Sequence, residues 1–368
     1  KLLPCLSSSN QVRKLLSIQI LGRLKTPLAY EPMKRLLSDR NEEIRSQAYM
    51  ALSALQADQL LDMVLTKGIK QKSSSVRKAV ARCIKVGSGE NLKDALHMLL
   101  KDPDSDVRIA AIETLGRMGY VSCLRQIIDD FSSCNKQTRL AVVQAMGNSG
   151  EKENTRFLTR LLKETDSDLR RVAVESLGNI KNKGSIPDLI AALDDTDWSV
   201  RCAAIQSLAK KGNQKCMLRI QEKLEDSEDI VKKEAILALG LLGCKDSVNA
   251  ILPYIYNENI QMEILTTLER LGIPDLDLFY THFNRSNTRL KCRLIDLLGR
   301  IRDQRTVDLL IQLLDENFCT IRCLAARALG ELGDPKATAP LLRIQKKDPS
   351  EEVREEASRA VKKLDHLA

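Results

Sequence analysis

Aromatic residues are scarce in this chain. Trp, Tyr and Phe together make up 3% of 368 residues, with one Trp, six Tyr and five Phe. A β-sandwich or barrel covers its pleated surfaces with aromatic and β-branched side chains, so this shortage excludes both and favours helices packed on helices. Histidine is as thin, with only His97, His282 and His366. No run approaches eighteen uninterrupted apolar residues, which excludes a membrane-spanning helix. The ten cysteines (Cys5, Cys83, Cys123, Cys134, Cys202, Cys216, Cys244, Cys292, Cys319 and Cys323) include no CxxC pair and form no even framework. Most sit among apolar helical residues, the pattern of buried free thiols in a reducing compartment, and a cytoplasmic location is expected.

What is present is a chain that is 43% apolar and 29% charged, the make-up of a folded, water-soluble protein. Its formal charge of +9 is lodged at one end. Residues 1–100 hold 17 Lys or Arg against 8 Asp or Glu, and the other 268 residues hold 41 of each sign. The sequence opens at Lys1, without an initiator Met and inside a helical pattern. The expectation is a truncated N-terminus, with signals further upstream.

An internal repeat organises everything else. SDVRIAAIETLG ends at Gly116, SDLRRVAVESLG at Gly178, WSVRCAAIQSLA at Ala209 and CTIRCLAARALG at Gly330. The residue before the arginine serves as a landmark: Ile44, Val76, Val107, Thr138, Leu169, Val200, Val231, Ile260, Leu290, Ile321 and Val353. Successive gaps are 32, 31, 31, 31, 31, 31, 29, 30, 31 and 32 residues. A shifted copy near Arg13, LSIQILG ending at Gly22, brings the number of units to about twelve.

Each unit reads as a short helix A, a polar turn and a longer helix B. In SIPDLIAALDD, Ile186, Leu189, Ile190 and Leu193 make an apolar stripe at helical spacing. Asp195 or Asp197 can cap the helix that follows, where Val200, Ala203, Ala204 and Leu208 form the buried face. Small pairs such as Ala110 with Ala111 allow close helix approach. Gly119, Gly150, Gly212, Gly243, Gly272 and Gly333, each twelve residues past a landmark, mark left-handed helix ends. The expectation is an all-α superhelix, one continuous solenoid over residues 1–368, with the repeat degenerate at 244–290.

The unit D-x-D-x-x-V-R-x-x-A-A-x-x-L-G resembles the short HEAT repeat of the phycobilin-lyase type. The resemblance runs the length of the chain and is poorest at 244–290, where Gln261 and Lys291 replace the arginine and Glu269 a glycine. It implies a ladder in which repeated Asp and Arg tie turns to adjacent helices. Here the acids would be Asp39, Asp102, Asp195, Asp226 and Asp348, five before the landmark. The bases would be Arg45, Arg77, Arg108, Arg139, Arg170, Arg201, Arg322 and Arg354.

Enzymes built on such repeats fail residue by residue. Deoxyhypusine hydroxylase binds two irons through His-Glu pairs, but the three histidines here are followed by Met98, Phe283 and Leu367. Nothing else supplies a metal set, and no cofactor is expected. A phycobilin lyase or a HEAT-like DNA glycosylase needs more aromatics than these. Trp198 falls in the turn DDTDWSVR, where an aromatic packs over the next repeat. No GxGxxG, GxxxxGK[ST] or GxSxG occurs.

The expected function is therefore a non-enzymatic scaffold that holds a protein or peptide on a concave face made by the B helices. The residues placed to project there lie two and six past the landmark: Lys78, Arg82, Ile109, Leu140, Arg171, Cys202, Leu237 and Met262. Apolar spots in a polar frame suit a protein better than a phosphate backbone. The run KGIKQKSSSVRKAVARCIK offers a second surface, with Lys67, Lys70, Lys72, Arg77 and Lys85 as anion-binding candidates. The alternatives are nucleic acid or an anionic membrane surface at this basic end, with a membrane tether upstream. The remaining one is an accessory module of an enzyme whose catalytic domain lies upstream.

Overall fold

The computed structural model describes residues 2–55, 67–84, 91–120, 124–212, 214–243 and 245–367. Every regular element among them is helical. The chain divides into two units, Lys1–Ala192 and Leu193–Ala368.

In the first unit the B helices are α1 (Gln11–Arg23), α3 (Glu42–Ala54), α4 (Ser74–Cys83), α6 (Ser105–Met118), α8 (Lys136–Ser149) and α10 (Ser167–Asn179). They stack in that order, each against the next. Helices α2 (Tyr30–Leu36), α5 (Asn91–Leu100), α7 (Arg125–Asp129), α9 (Thr155–Leu161) and α11 (Ile186–Ala191) are the shorter A partners. In the second unit the B layer is α12 (Trp198–Lys211), α14 (Asp229–Leu242), α16 (Gln261–Leu271), α18 (Thr288–Ile301), α20 (Cys319–Leu332) and α22 (Glu351–Leu367). Its A helices are α13 (Gln214–Gln221), α15 (Ser247–Ile251), α17 (Leu276–Arg285), α19 (Val307–Gln312) and α21 (Thr338–Lys347).

All eleven landmark residues are buried, from Ile44 to Val353. Eight B helices begin on a side-chain cap: Asn10, Asn41, Ser73, Asp104, Asn135, Asp166, Asp197 and Asn287 each accept a backbone N–H of the first turn. From Asn41 on, these caps lie three residues before the landmark. Asp197 is therefore the cap, while Asp195 accepts the N–H of Asp197 at 2.8 Å.

Five of the six terminal glycines adopt the left-handed conformation; Gly272 has φ 77° but ψ −170°, a different turn. Arg302 takes the left-handed position after α18. The stretch 244–290, read as degenerate, still forms α15, α16 and α17.

Two devices set the spacing of neighbouring B helices. A Cβ on Gly116 would stand 2.5 Å from the Cα of Ala145, so α6 and α8 meet backbone to backbone. Buried hydroxyls bridge the flanking seams: Thr114 of α6 donates to the Ala81 carbonyl of α4 and Ser176 of α10 to that of Val143 in α8, both at 3.0 Å. Each bond satisfies a polar group inside an otherwise apolar contact.

Candidate functional site

The Asp and Arg ladder exists, and its geometry is specific. Arg77 donates from Nη1 to the carbonyls of Gln71 and Lys72 in its own turn, at 2.8 and 2.9 Å. Its other edge, Nε and Nη2, grips both oxygens of Asp102 in the next turn at 2.6 and 2.9 Å. Arg201 repeats this with Asp226 at 2.8 and 2.7 Å, and Arg322 with Asp348 at 2.7 and 2.9 Å. Bidentate, charge-assisted bonds of this kind fix direction as well as distance. Burial pushes the Asp102 carboxyl up, but the Arg77 guanidinium and the Asp104 N–H outweigh it and hold it below the ordinary value. Arg322 likewise holds Asp348 low. Lys14 stands in for the arginine in the first repeat and meets Asp39 at 2.9 Å.

This geometry corrects one expectation. Arg77 is not an anion-binding group, because four of its five N–H donors are committed inside the protein. Lys67, Lys70 and Lys72 are exposed at the turn before α4, and Lys85 lies outside the described residues. They form no ion pair among the described residues.

The B-helix column is partly self-neutralised. Lys78 pairs with Asp106 at 2.6 Å, and Arg82 approaches Glu113 at 3.8 Å. Arg171 meets Glu175 at 2.8 Å and Asp168 at 3.6 Å. Ile109, Leu140 and Cys202 are half-buried in it. Burial pushes the Cys202 thiol up to about 11, with the charge of Glu234 adding to it. Leu237 and Met262 stand clear, 39% and 57% exposed, and Leu241 on the same side of α14 is 61% exposed. Beside them Lys233 faces Glu263 at 3.6 Å.

Two further expectations change. Of the eight described cysteines, all free, only Cys83 and Cys216 are buried, and Cys319 is exposed. Trp198 opens α12 as its first residue and leaves nearly half its surface to solvent, because Asp197 caps the helix one residue earlier than the turn reading implied. Sequence reasoning also missed an apolar stripe on α1. Val12, Leu16, Ile20 and Leu24 are four apart and exposed, a spacing that was there to be read.

His97 is exposed in α5, and His282 is buried in α17, where Tyr256 donates to its carbonyl at 3.1 Å. The His366 side chain lies outside the description. Among the described residues no three metal-ligating side chains converge, and no helix is long and apolar enough to cross a membrane.

The sequence pattern that defines HEAT repeats matches residues 61–130, 121–209 and 276–362. The chain belongs to the HEAT-repeat family. Deoxyhypusine hydroxylase of Rattus norvegicus is 36% identical over 106 residues, which are 28% of this chain and 35% of that protein. Among solved structures, Kap95p in its complex with RanGDP aligns over 99% of this chain and 54% of its own, at 15% identity and a TM-score of 0.59. Kap121p bound to Nup53p aligns over 99% of this chain and 48% of its own, at 13% identity and a TM-score of 0.53. The chain thus spans about a third of the curated relative and about half of these two solved chains, and the structural likeness is one of fold.

Proposed function

We propose that this HEAT-repeat chain is a non-enzymatic scaffold that captures a protein segment on its B-helix face. The observation that carries the reading is the set Leu237, Leu241 and Met262, exposed on neighbouring helices α14 and α16 beside the Lys233–Glu263 pair. Apolar side chains beside a paired cation give a partner surface to bury without stranding that cation, which is the make-up of protein interfaces. A phosphate backbone would need unpaired basic residues along the face, and Lys78, Arg82 and Arg171 are already matched with acids. HEAT proteins solved with bound proteins, Kap95p with RanGDP and Kap121p with Nup53p, lend the fold-level support.

Leu237→Asp with Met262→Asp tests this. Affinity capture followed by mass spectrometry, with a photo-crosslinker at Leu241, should yield a specific partner from wild type. The double variant should lose it at unchanged helicity. Capture that survives the double variant would sink the assignment. A second surface is the trio Lys67, Lys70 and Lys72, exposed and without an ion pair to an acid among the described residues. Binding of nucleic acid there would weaken steeply with salt, whereas a flat salt response would exclude it.

A further inference from the structure

The ladder has a gap that opens on a cavity. Arg108 in α6 makes the first half of the rung as the others do, donating from Nη1 to the carbonyls of Asp102 and Pro103 at 2.7 and 3.0 Å. The other half is missing. The position that holds Asp102, Asp226 and Asp348 elsewhere, five before the landmark, is Ser133 here. Its hydroxyl turns away and donates to the Asp130 carbonyl at 2.7 Å. No acid meets the Nε and Nη2 edge of Arg108 among the described residues.

Two other rungs that begin on an arginine lack the aspartate as well, with Gln71 in that register after Arg45 and Glu164 after Arg139. At both, the arginine Nε is buried and bonded to nothing, so those gaps are closed. At Arg108 there is instead a space of about 310 Å³ between two successive repeats. Its polar lining is His97, Lys101, Arg108, Ser133, Cys134 and Thr138, with Asp130 as the one acid, and Leu100, Ile112 and Ile127 supply an apolar wall. A water occupies about 30 Å³ of liquid, so the space takes a small organic group.

We propose that this cavity is a carboxylate-binding site, in which a ligand gives Arg108 the bidentate acid that Asp102, Asp226 and Asp348 give to Arg77, Arg201 and Arg322. The chemistry follows from the protein's own rungs: the same guanidinium edge, held by the same two-carbonyl clamp, takes both carboxylate oxygens at 2.6 to 2.9 Å in three places. Clamping one edge orients the other in advance, which lowers the cost of binding. Lys101 adds a second cation, and the apolar wall accommodates a short hydrocarbon body. The ligand is a small carboxylic acid or an acidic side chain of a bound peptide. The site is separate from the B-helix surface proposed above and does not depend on it.

The test follows the Arg108 Nε–H resonance in the full chain during titration. The probes are butyrate, the capped peptide Ac-Ala-Asp-Ala-NH2, its Asn counterpart and inorganic phosphate. Saturable shifts are expected from the two carboxylates, with a Kd on the order of 10 mM or tighter. The tighter of the two identifies the source as free acid or peptide. The Asn peptide should leave the resonance in place. Ser133→Asp restores the internal rung, so it should weaken binding at least about tenfold while the protein stays folded. Arg108→Lys keeps the charge but not the fork; followed through the Ser133 and Cys134 backbone amides, which also report in the wild type, it should lose the response to both carboxylates. The proposal is overturned by the absence of any saturable shift, by equal response to the Asn peptide, by tighter binding of phosphate than of either carboxylate, or by wild-type affinity in Ser133→Asp.

Discussion

Arg322 and Asp348 face each other through two parallel N–H···O bonds of 2.7 and 2.9 Å, and both side chains are nine-tenths or more buried. The pair joins α20 to the turn before α22. Burial that deep means neither member tolerates the loss of the other.

Asp348→Asn should therefore destabilise the second unit by about 3 kcal/mol, because the guanidinium is left buried without its counter-charge. The exposed pair of Arg343 and Asp315 spans a similar sequence distance at 2.7 Å. Asp315→Asn should cost under about 0.5 kcal/mol, since solvent screens it. Replacing both buried partners, Arg322→Met with Asp348→Leu, should recover most of the loss. Urea unfolding of the three variants beside the wild type reads all three outcomes, and equal effects from Asp348→Asn and Asp315→Asn would contradict them.

Acid should act through the same groups. Asp102, Asp226 and Asp348 have folded-state values held below their usual one, and in the unfolded chain they return to about 3.9. A depressed carboxyl contributes stability above its unfolded value and loses it as pH falls through the folded one. The urea midpoint is expected to hold nearly constant from pH 7 to about 5, then drop steeply below about 4. In Arg77→Leu the Asp102 share of that drop should vanish.

Gly116 and Gly119 sit three residues apart in the sequence and should fail differently. Ala at Gly116 gains up to about 1 kcal/mol of helix propensity, but its Cβ would meet the Ala145 backbone at 2.5 Å. That contact is with main chain and cannot be relieved by a rotamer, so net destabilisation of about 2 kcal/mol is expected. Nothing lies within 4 Å of a Cβ on Gly119, and only its φ of 73° resists, at about 1 kcal/mol. Thermal unfolding of the two variants should rank them in that order.

Cys202 should be slow to alkylate. With its thiol pushed up to about 11, the thiolate fraction at pH 8 is on the order of one in a thousand. Exposed Cys319 should react with iodoacetamide on the order of a hundredfold faster. Peptide mass mapping over a time course decides it, and comparable rates would show that Cys202 is open to solvent.

Much of this architecture was readable from residue spacing. The landmark fell on buried positions in every unit where it was assigned, because an apolar residue before a fixed arginine can face only inward at helical spacing. The roles of the two aspartates in D-x-D were half readable: the repeat's resemblance placed the first in the ladder, but the sequence left Asp195 and Asp197 open as the cap. Only the backbone shows that the second caps the helix while the first reaches the preceding arginine. The pairing of Lys78 and Arg82 was not readable for a related reason. Their acids, Asp106 and Glu113, lie about thirty residues away in sequence and come into reach only once neighbouring B helices stack. Lys14 escaped notice because it does an arginine's work in a shifted repeat. The gap at Ser133 was visible as a residue, but it acquires meaning only beside a cavity.

The rungs also say something about how such a chain can change in length. In the complete rungs a base just inside one B helix reaches forward to the acid in the turn before the next, as Arg77, Arg201 and Arg322 do. Excising or duplicating one whole period between complete rungs leaves acid facing base across the new seam. Cutting half a period strands a buried charge on each side of it. Sequence lengths in this lineage should therefore step by about thirty-one residues, with the seams tolerant of exchange and the interiors of the repeats not.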